Sequence, residues 1–502
     1  MNGVLVFGIL LAAYLFLAYR LAKRKTSEPP SSVTGSGFDL AGPLILWRTQ
    51  SGKRLIDRIA KARGLWRFFG DVAIYVTWVA GLLVLALLLY QLYLFVTVPK
   101  LVVDTAPPPQ FLIGLPGVNP LIPIWYGIFG LLVALVVHEG CHGILARAQN
   151  IGVKSLGLVF FIVPIGAFVE PDERDLEPAS ARAKNRVFAA GPMSNLVLAL
   201  VAGSLFSMAF VGSMAVVNDG EGVGVAATIP DSPAAAAGIR AGDVLVKLDG
   251  TAVTDQPSFT QVLNRTRAGQ QVSVELIRDG KHVFTSVVLA DKYEYIQSQD
   301  PSLNKAEYKG KGFIGVSSFD LGIAERVHSR LEAPFQDGLG SFDPGRGAFI
   351  VYISYPFFVL LTGVDVLNAP YTSFFVVEGP LAGMPAWAFF MVANALYWLF
   401  WLNLMLGTFN ALPAGPLDGG QMLRTTLREW SYRLFRVDRA RILVNPSPAP
   451  GAMPLSGADP ETQARLDRAL AFTKRITMTV GFFILGLILL PIIGPNVVKL
   501  LT

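Results

Sequence analysis

Residues 121–146 read LIPIWYGIFGLLVALVVHEGCHGILA, and this stretch decides the fold. It is long enough to cross a bilayer, and Glu139 is its only formal charge. An ionisable side chain at that depth is costly and needs a partner or a function. On a helix, the HExxH pattern places His138 and His142 on one face, where both imidazoles can bind one Zn²⁺. Glu139 can then act as a general base toward a water molecule. The stretch therefore predicts one zinc ion per chain, inside a membrane span.

The scarcity of histidine and cysteine supports this interpretation. The chain has 4 His, and two of them form the motif. The other two, His282 and His328, lie in polar surroundings and are predicted to be surface residues. The single Cys excludes an intrachain disulfide. Cys141 points about 100° away from its helical neighbours, so we interpret it as a small helix residue and not as a ligand.

The composition is that of a polytopic membrane protein. Of 502 residues, 52% are hydrophobic and only 16% are charged, and the mean hydropathy is +0.49. The fold class predicted is a mainly α membrane protein of about six transmembrane helices with a β-rich insert. The net charge of +6 does not indicate nucleic-acid binding, because membrane topology accounts for the basic residues.

Five further apolar stretches are predicted to span the membrane with the HEGCH helix: residues 3–19, 72–98, 188–217, 384–412 and 476–493. Residues 153–171 are β-prone but broken by Gly and Pro, which favours a hairpin dipping into the membrane under a protein cover. Residues 348–364 are apolar but short and carry Pro356, so we predict an outer-surface or re-entrant segment.

Basic residues give the orientation. Residues 20–67 and 424–475 are the two loops rich in Lys and Arg, and the positive-inside rule places both in the cytoplasm. Six alternating spans satisfy both loops with the N-terminus outside. The motif histidines then lie toward the cytoplasmic side, and residues 219–345 lie outside.

The insert at residues 219–292 alternates short β-branched runs with turn signals such as Asp279-Gly280. Its run SPAAAAGIRAGDVLVKLDG, residues 232–250, resembles the PDZ domains of prokaryotic proteases. That resemblance implies binding of extended peptides or chain ends by strand addition. Residues 222–225, GVGV, lie where the carboxylate-binding loop would be. A domain that only limits access by its bulk is the alternative.

A catalytic zinc needs a third protein ligand and an open position for water. Asp418 is the one carboxylate near the end of the span at residues 384–412. The predicted topology brings it to the depth of His138 and His142. We therefore predict Asp418 as the third ligand, although an Asp-Gly pair is also a common turn.

The ordered motifs together resemble the site-2 protease family of intramembrane zinc metalloproteases. These motifs are HEGCH, the GPMSN run at residues 191–195, a PDZ-like insert, and Asn410 and Pro413 before Leu417-Asp418-Gly419. The resemblance covers about residues 124–424. It implies that His138, His142 and Asp418 bind zinc and that Glu139 is the catalytic base.

The same resemblance implies further roles and partners. Asn195 and Asn410 match positions associated with the substrate path or the active site, where they would bind substrate or stabilise the oxyanion. Interhelical hydrogen bonding is the equally weighted alternative for both. The implied substrates are single-span membrane proteins, often trimmed first by another protease.

The predicted domain order is a two-span N-terminal region with a basic loop (1–122), a membrane core with HEGCH and GPMSN (123–218), the PDZ-like insert (219–292), an extramembrane linker (293–383), a membrane core with LDG (384–424), and a cytoplasmic loop with the last span (425–502). Two other functions stay open at this point. One is a membrane-anchored zinc peptidase acting on soluble peptides. The other is a non-enzymatic metal-binding or PDZ scaffold protein, against which the presence of Glu139 argues.

Overall fold

The structure is a computed structural model that describes residues 16, 37–41, 44–100, 108–112, 114, 116–161, 163–299, 302, 304–334, 348–437 and 460–501. The chain divides into two compact units, residues 1–201 with 398–502, and residues 202–397. The helices are α1 Lys53–Ile59, α2 Arg63–Thr97, α3 Ile124–Ala148, α4 Glu173–Leu176, α5 Ala181–Ser204, α6 Pro233–Ala236, α7 Gln256–Arg265, α8 Lys292–Gln299, α9 Leu321–Glu332, α10 Ala348–Thr362, α11 Ala386–Asn410, α12 Asp418–Leu434 and α13 Pro460–Leu501. The strands are β1 Gly37–Ala41, β2 Leu44–Thr49, β3 Val153–Phe161, β4 Val163–Pro171, β5 Met214–Val216, β6 Val223–Thr228, β7 Val244–Leu248, β8 Thr251–Ala252, β9 Gln271–Arg278, β10 Lys281–Val288, β11 Ala290–Asp291, β12 Gly312–Phe313, β13 Val316–Asp320 and β14 Phe375–Val377.

Within the described residues, five helices are long and apolar enough to cross a membrane. They are α2, α3, α5 with its continuation to Ser213, α11 and α13. In lipid, the backbone amides must bond within their own segment, and a helix does this. The predicted fold class is confirmed: a mainly α chain with a β-rich region in its middle. The predicted span at residues 3–19 lies outside the described residues, except for residue 16.

The first unit contains a four-stranded antiparallel sheet in the order β1-β2-β3-β4. Strands β3 and β4 form a hairpin, which confirms that residues 153–171 are β-structured. Strand β2 pairs with β3, so the segment before the first described spanning helix completes the sheet. The sequence alone indicates that segment only as part of a basic loop. Strand β4 is left as the edge of the sheet that contacts α3.

The second unit contains a sheet in the order β10-β9-β7-β6-β13, with β8 paired to β7. Its core is apolar and includes Val223, Leu245 and Leu276, each at most 1% exposed. The β-rich insert is therefore present, while its PDZ resemblance stays a prediction. The sheet also takes β13 from the stretch predicted as a linker, residues 293–383, so the β-rich region extends past residue 292.

One detail of the predicted insert is wrong. The GVGV run at 222–225 does not form a loop with free amides, because Val223–Val225 lie in β6. Val223 and Gly224 pair with β7 on one side and with β13 on the other, so both edges of the strand are paired at this run. An extended peptide has no free strand edge to join there.

Residues 348–364, predicted as an outer-surface or re-entrant segment, form α10, a helix of 15 residues containing Pro356. At 1.5 Å per residue it is about 22 Å long, shorter than the hydrocarbon core of a bilayer at about 30 Å. Buried polar bonds hold it: Tyr352 donates to the Gly203 carbonyl at 3.0 Å, and Tyr355 donates to Asp365 at 2.8 Å. The membrane position of this segment stays a prediction.

The two histidines outside the motif differ. His282 is exposed, as predicted. His328 is buried at 9% exposure, and its Nε2 lies 3.1 Å from the Val211 carbonyl. The prediction of a surface His328 is therefore wrong, because the polar side chains around it in sequence face the other side of α9.

Candidate metal centre

Helix α3 presents its two motif histidines one turn apart on a single face. His138 and His142 are both buried, and their ring centroids lie 4.8 Å apart. Spacing of four residues produces this on any α-helix. Both Nε2 atoms point toward the same carboxylate, that of Asp418: its Oδ2 lies 3.0 Å from Nε2 of His138 and 3.4 Å from Nε2 of His142.

Asp418 reaches this place because the chain reverses tightly between α11 and α12. Asp418 is the first residue of α12, where a helix N-terminus favours a carboxylate. A Cβ on Gly419 would collide with the carbonyl of Ala411, and a Cβ on Gly420 would collide with the backbone of Ala414. The two glycines after Asp418 therefore permit the start of α12 to approach the backbone of residues 411–414 closely. This approach brings the Asp418 carboxylate to the two histidines of α3.

The other nitrogen of each imidazole contacts a group on α5. Nδ1 of His142 donates to the Val187 carbonyl at 2.7 Å, which leaves the lone pair of Nε2 facing Asp418. Nδ1 of His138 lies 3.1 Å from Nδ2 of Asn195, a fully buried residue. The Oδ1 atom of Asn195 is buried and has no hydrogen-bond partner among the described residues.

This orphaned oxygen fits a ligand-orienting role for Asn195. An imidazole that binds a metal through Nε2 carries its proton on Nδ1 and needs an acceptor there. A half-turn of the Asn195 amide offers Oδ1 as that acceptor. The structure thus brings Asn195 to His138, and the substrate-binding or oxyanion role predicted for it stays a prediction.

Gly191 forms the floor of the site. A Cβ at this position would overlap Nε2 of both His138 and His142. The first residue of the GPMSN run is therefore glycine because the ligand atoms occupy the space of a side chain. The space for an ion between the three ligands depends on this missing methyl group.

Glu139 is half-buried and lies beside strand β4. Its Oε2 accepts a hydrogen bond from the Val169 N–H at 2.9 Å. In an antiparallel pair, successive N–H groups face opposite edges, so the Val169 N–H that reaches Glu139 faces away from β3. The carboxylate between the two histidines is thus tied to the free edge of the hairpin.

The donor set fits zinc. Two imidazole nitrogens and one carboxylate oxygen lie within 4.8 Å of one another, and they form a group able to hold a metal ion. Ligands about 2.0–2.1 Å from a tetrahedral zinc lie about 3.3 Å apart, close to the two His–Asp distances. Three protein ligands leave a fourth position open, the arrangement of catalytic zinc sites and not of structural ones.

Asn410 and Cys141 are not part of the candidate metal-binding group. Asn410 is the last residue of α11 and is half-buried, and among the described residues its side chain has no hydrogen bond. Cys141 is buried in an apolar cluster with Leu145 and Val187, which agrees with its interpretation as a packing residue.

Two backbone groups at the site are not predictable from the sequence. Val187 and Val169 act through backbone atoms, which no residue pattern reveals. Asn403, in α11, lies outside the candidate metal-binding group. It is fully buried; its Nδ2 donates to the Leu399 carbonyl at 2.7 Å, and its Oδ1 has no partner among the described residues. An amide inside an apolar span was the available signal for this buried asparagine.

Comparison with known proteins agrees with the geometry. Residues 126–446 match the model of peptidase family M50. An uncharacterized protein of Methanocaldococcus jannaschii is 23% identical over 377 residues, which cover 74% of this chain and 74% of the relative. The zinc metalloprotease Rip1 of Mycobacterium bovis is 27% identical over 375 residues, covering 63% of this chain and 88% of the relative.

A putative zinc metalloprotease of Clostridium perfringens is 29% identical over 330 residues, covering 59% of this chain and 86% of the relative. The family match includes α3, α5 and the start of α12, and therefore every residue that contributes a metal-binding atom. The apolar spans agree with a multi-pass membrane protein. The chain therefore belongs to peptidase family M50 and is a zinc metalloprotease of the membrane.

Proposed function

We propose that this protease cleaves the transmembrane segments of membrane-anchored substrates. The observation that carries the proposal is the contact between Glu139, in a helix apolar enough to span a bilayer, and the free edge of strand β4. Glu139 would act as the base inside the membrane, and the edge of β4 lies beside it. This arrangement suits a substrate that reaches the site through the membrane. The proposal also assigns His138, His142 and Asp418 as the zinc ligands.

The residues of the chain divide the chemistry as follows. When bound, zinc polarises the peptide carbonyl and makes a water molecule more acidic. The Oε2 atom of Glu139 accepts a hydrogen bond from the Val169 N–H. Oε1 is therefore the atom that accepts the proton of the attacking water. The same carboxyl group then delivers the proton to the leaving amine. Asn195 and the Val187 carbonyl keep the imidazoles oriented throughout.

Strand β4 supports the proposal because it is an edge strand, and no further strand of the described residues pairs with it. A helical substrate hides its carbonyls in bonds to the residue four positions on, so cleavage requires a locally extended chain. Pairing with β4 would hold that chain by main-chain hydrogen bonds. The backbone N–H of Val169 faces the free edge of β4. The backbone groups of Ala167 face the same edge, because alternate residues of a strand do so. Asn410 is our candidate for a side-chain contact with the substrate backbone or the oxyanion.

For orientation, we propose six spans with residues 20–67 and 424–475 in the cytoplasm, which follows from their excess of Lys and Arg. The zinc ligands then open toward the cytoplasmic side, and the β-rich domain lies outside. We also propose single-span membrane proteins, trimmed first by another protease, as the partners. This part of the proposal follows from the resemblance to the site-2 protease family.

The test uses the whole protein reconstituted in lipid with zinc, a single-span model substrate, and a soluble peptide of the same sequence around the scissile bond. Glu139→Gln should keep its zinc and lose cleavage by roughly 10²- to 10⁴-fold, the usual contribution of a general acid–base. Glu173→Gln, an exposed glutamate of the same unit, is the matched control and should cleave normally.

Cleavage of the membrane substrate inside its apolar segment supports the proposal. If the wild type cuts only the soluble peptide, the protein is instead a membrane-anchored peptidase. Loss of zinc together with activity in Glu139→Gln would make this carboxylate structural.

A further inference from the structure

Residues 44–59 lie outside the family match, which begins at residue 126. They comprise β2, α1 and the turn between them. We call this segment the N-terminal brace. Although it precedes the matched region, it belongs to the same compact unit as the metal centre.

The N-terminal brace contacts both elements of the active site. Strand β2 pairs with β3 from Ile45 opposite Phe160 to Thr49 opposite Leu156. In α1, the Ile56 side chain fills the space in front of Gly143, one residue after the motif. These contacts link the hairpin and the zinc-binding helix through a segment that the family match does not cover.

Arg48 makes the most specific of these contacts. Its Nη1 donates to Glu170 Oε2 at 2.6 Å and to Ser155 Oγ at 3.1 Å. Ser155 Oγ donates to the same Glu170 oxygen at 2.7 Å. The guanidinium also lies over the ring of Phe168, 5.3 Å from its centroid. Arg48 therefore reaches across β3 and binds β4 on both sides of Val169.

The Arg48–Glu170 ion pair contributes more to the position of β4 than to the stability of the fold. The Arg48 and Glu170 side chains are 20% and 40% exposed, and ion pairs at such exposure stabilise a fold little. Glu170, however, follows directly after Val169, whose N–H holds Glu139. A shift of β4 at this point moves the Val169 N–H, which is the partner of the catalytic carboxylate. Small displacements of a catalytic group strongly lower the reaction rate.

We propose that Arg48 is a positioning residue for catalysis, which sets the Val169 N–H against Glu139 by binding Glu170 and Ser155 across the sheet. The inference rests on the proposed function for its kinetic consequence. The other part of the inference is that the N-terminal brace fixes the position of β4. That part is independent of which substrate is cleaved.

The experiment compares Arg48→Ala with Arg54→Ala, a matched control at an exposed arginine of α1. In reconstituted, zinc-loaded protein, Arg48→Ala should raise amide hydrogen exchange across residues 163–171 and leave the zinc content unchanged. Its kcat should fall roughly tenfold or more, with a smaller change in KM, because the misplaced group acts on the transition state. Arg54→Ala should match the wild type in all four measurements.

Charge exchange provides the second arm. Arg48→Glu alone should lose activity, and the double variant Arg48→Glu with Glu170→Arg should recover a large part of it. Unchanged exchange in β4 of Arg48→Ala overturns the inference, and this readout needs no substrate. Failure to cut the membrane substrate by the wild type would refute the proposed function alone. Raised exchange with wild-type kcat would overturn the catalytic role of Arg48.

Discussion

His138 and His142 each contact a second group through the imidazole nitrogen that faces away from Asp418. The two partners differ, since Val187 offers a carbonyl and Asn195 an amide side chain. A backbone partner cannot be removed by substitution, whereas the amide can. The site therefore offers one residue at which the orientation of a ligand can be tested without touching the ligand.

Asn195→Ala should weaken zinc binding about 10- to 100-fold, the usual effect of removing a partner of a ligand histidine. The cause is the loss of the acceptor for the Nδ1 proton of His138. Zinc affinity measured by competition with a chelator checks this. Asn185→Ala, a buried asparagine of the same helix that donates to Thr426, should retain zinc. Equal zinc affinity in Asn195→Ala and the wild type would refute the orienting role.

Asp418→Asn should strongly reduce the zinc content and the cleavage rate, because a neutral amide is a poorer ligand for a dication. The comparison is Asp279→Asn, an Asp-Gly pair in the β9–β10 turn where asparagine is well tolerated. Metal analysis of both purified variants provides the measurement. Near-normal zinc in Asp418→Asn would leave this residue as an ordinary turn residue and the third coordination position unassigned.

At this scale, the sequence predicted which side chains come together at the candidate metal centre. His138, His142 and Asp418 come together as expected because an i, i+4 pair and an isolated carboxylate are both readable from the chain. The groups that orient them were not predictable, since backbone carbonyls and amides of valine have no signature. Gly191 is part of the GPMSN run in the sequence. The reason for a glycine at this position is evident only from the positions of the two imidazoles in the structure.

The hairpin of β3 and β4 is the element that connects the metal centre to the rest of the first unit. Its irregular, β-prone sequence predicted the hairpin, but its pairing with β2 was not foreseen. Long-range strand pairing depends on which edges meet in space, and the residues of β2 lie over a hundred positions before β3. The helices were easier to predict because their apolar runs alone specify them.

The hairpin also contains a carboxylate whose charge contributes to its stability. Burial raises the pKa of Glu170, but the Ser155 hydrogen bond and the Arg48 guanidinium outweigh it, with help from Lys154, so the pKa is lowered. A lowered pKa means that the ionised form stabilises the folded state. This contribution is complete above the unfolded value of about 4.3 and is lost as the pH falls through the folded value.

Thermal unfolding of wild type and Glu170→Gln should therefore differ most at pH 6–7, by about one degree or less for an ion pair of this exposure, with the wild type more stable. The difference should shrink steadily below about pH 4.3. Glu173→Gln provides the control, as an exposed glutamate outside this network. A difference that grows on acidification would mean that Glu170 is not stabilised in its charged form.

For the whole molecule, the proposed orientation in the membrane can be measured by thiol labelling. A cysteine placed within residues 27–37 should be protected from an impermeant thiol reagent in intact cells, whereas one within residues 250–257 should be labelled. The native Cys141 is buried and gives little background. The reverse pattern would overturn the six-span arrangement and the cytoplasmic opening of the site.

The hydrogen bond of 2.9 Å between Val169 and Glu139 couples the position of strand β4 to the position of the Glu139 carboxylate. Thermodynamic linkage is reciprocal, so whatever binds one of them changes the affinity at the other by the same factor. An inhibitor that binds the metal centre and displaces Glu139 should thus alter how tightly a peptide pairs with β4. A peptide on β4 should change the affinity of that inhibitor to an equal extent.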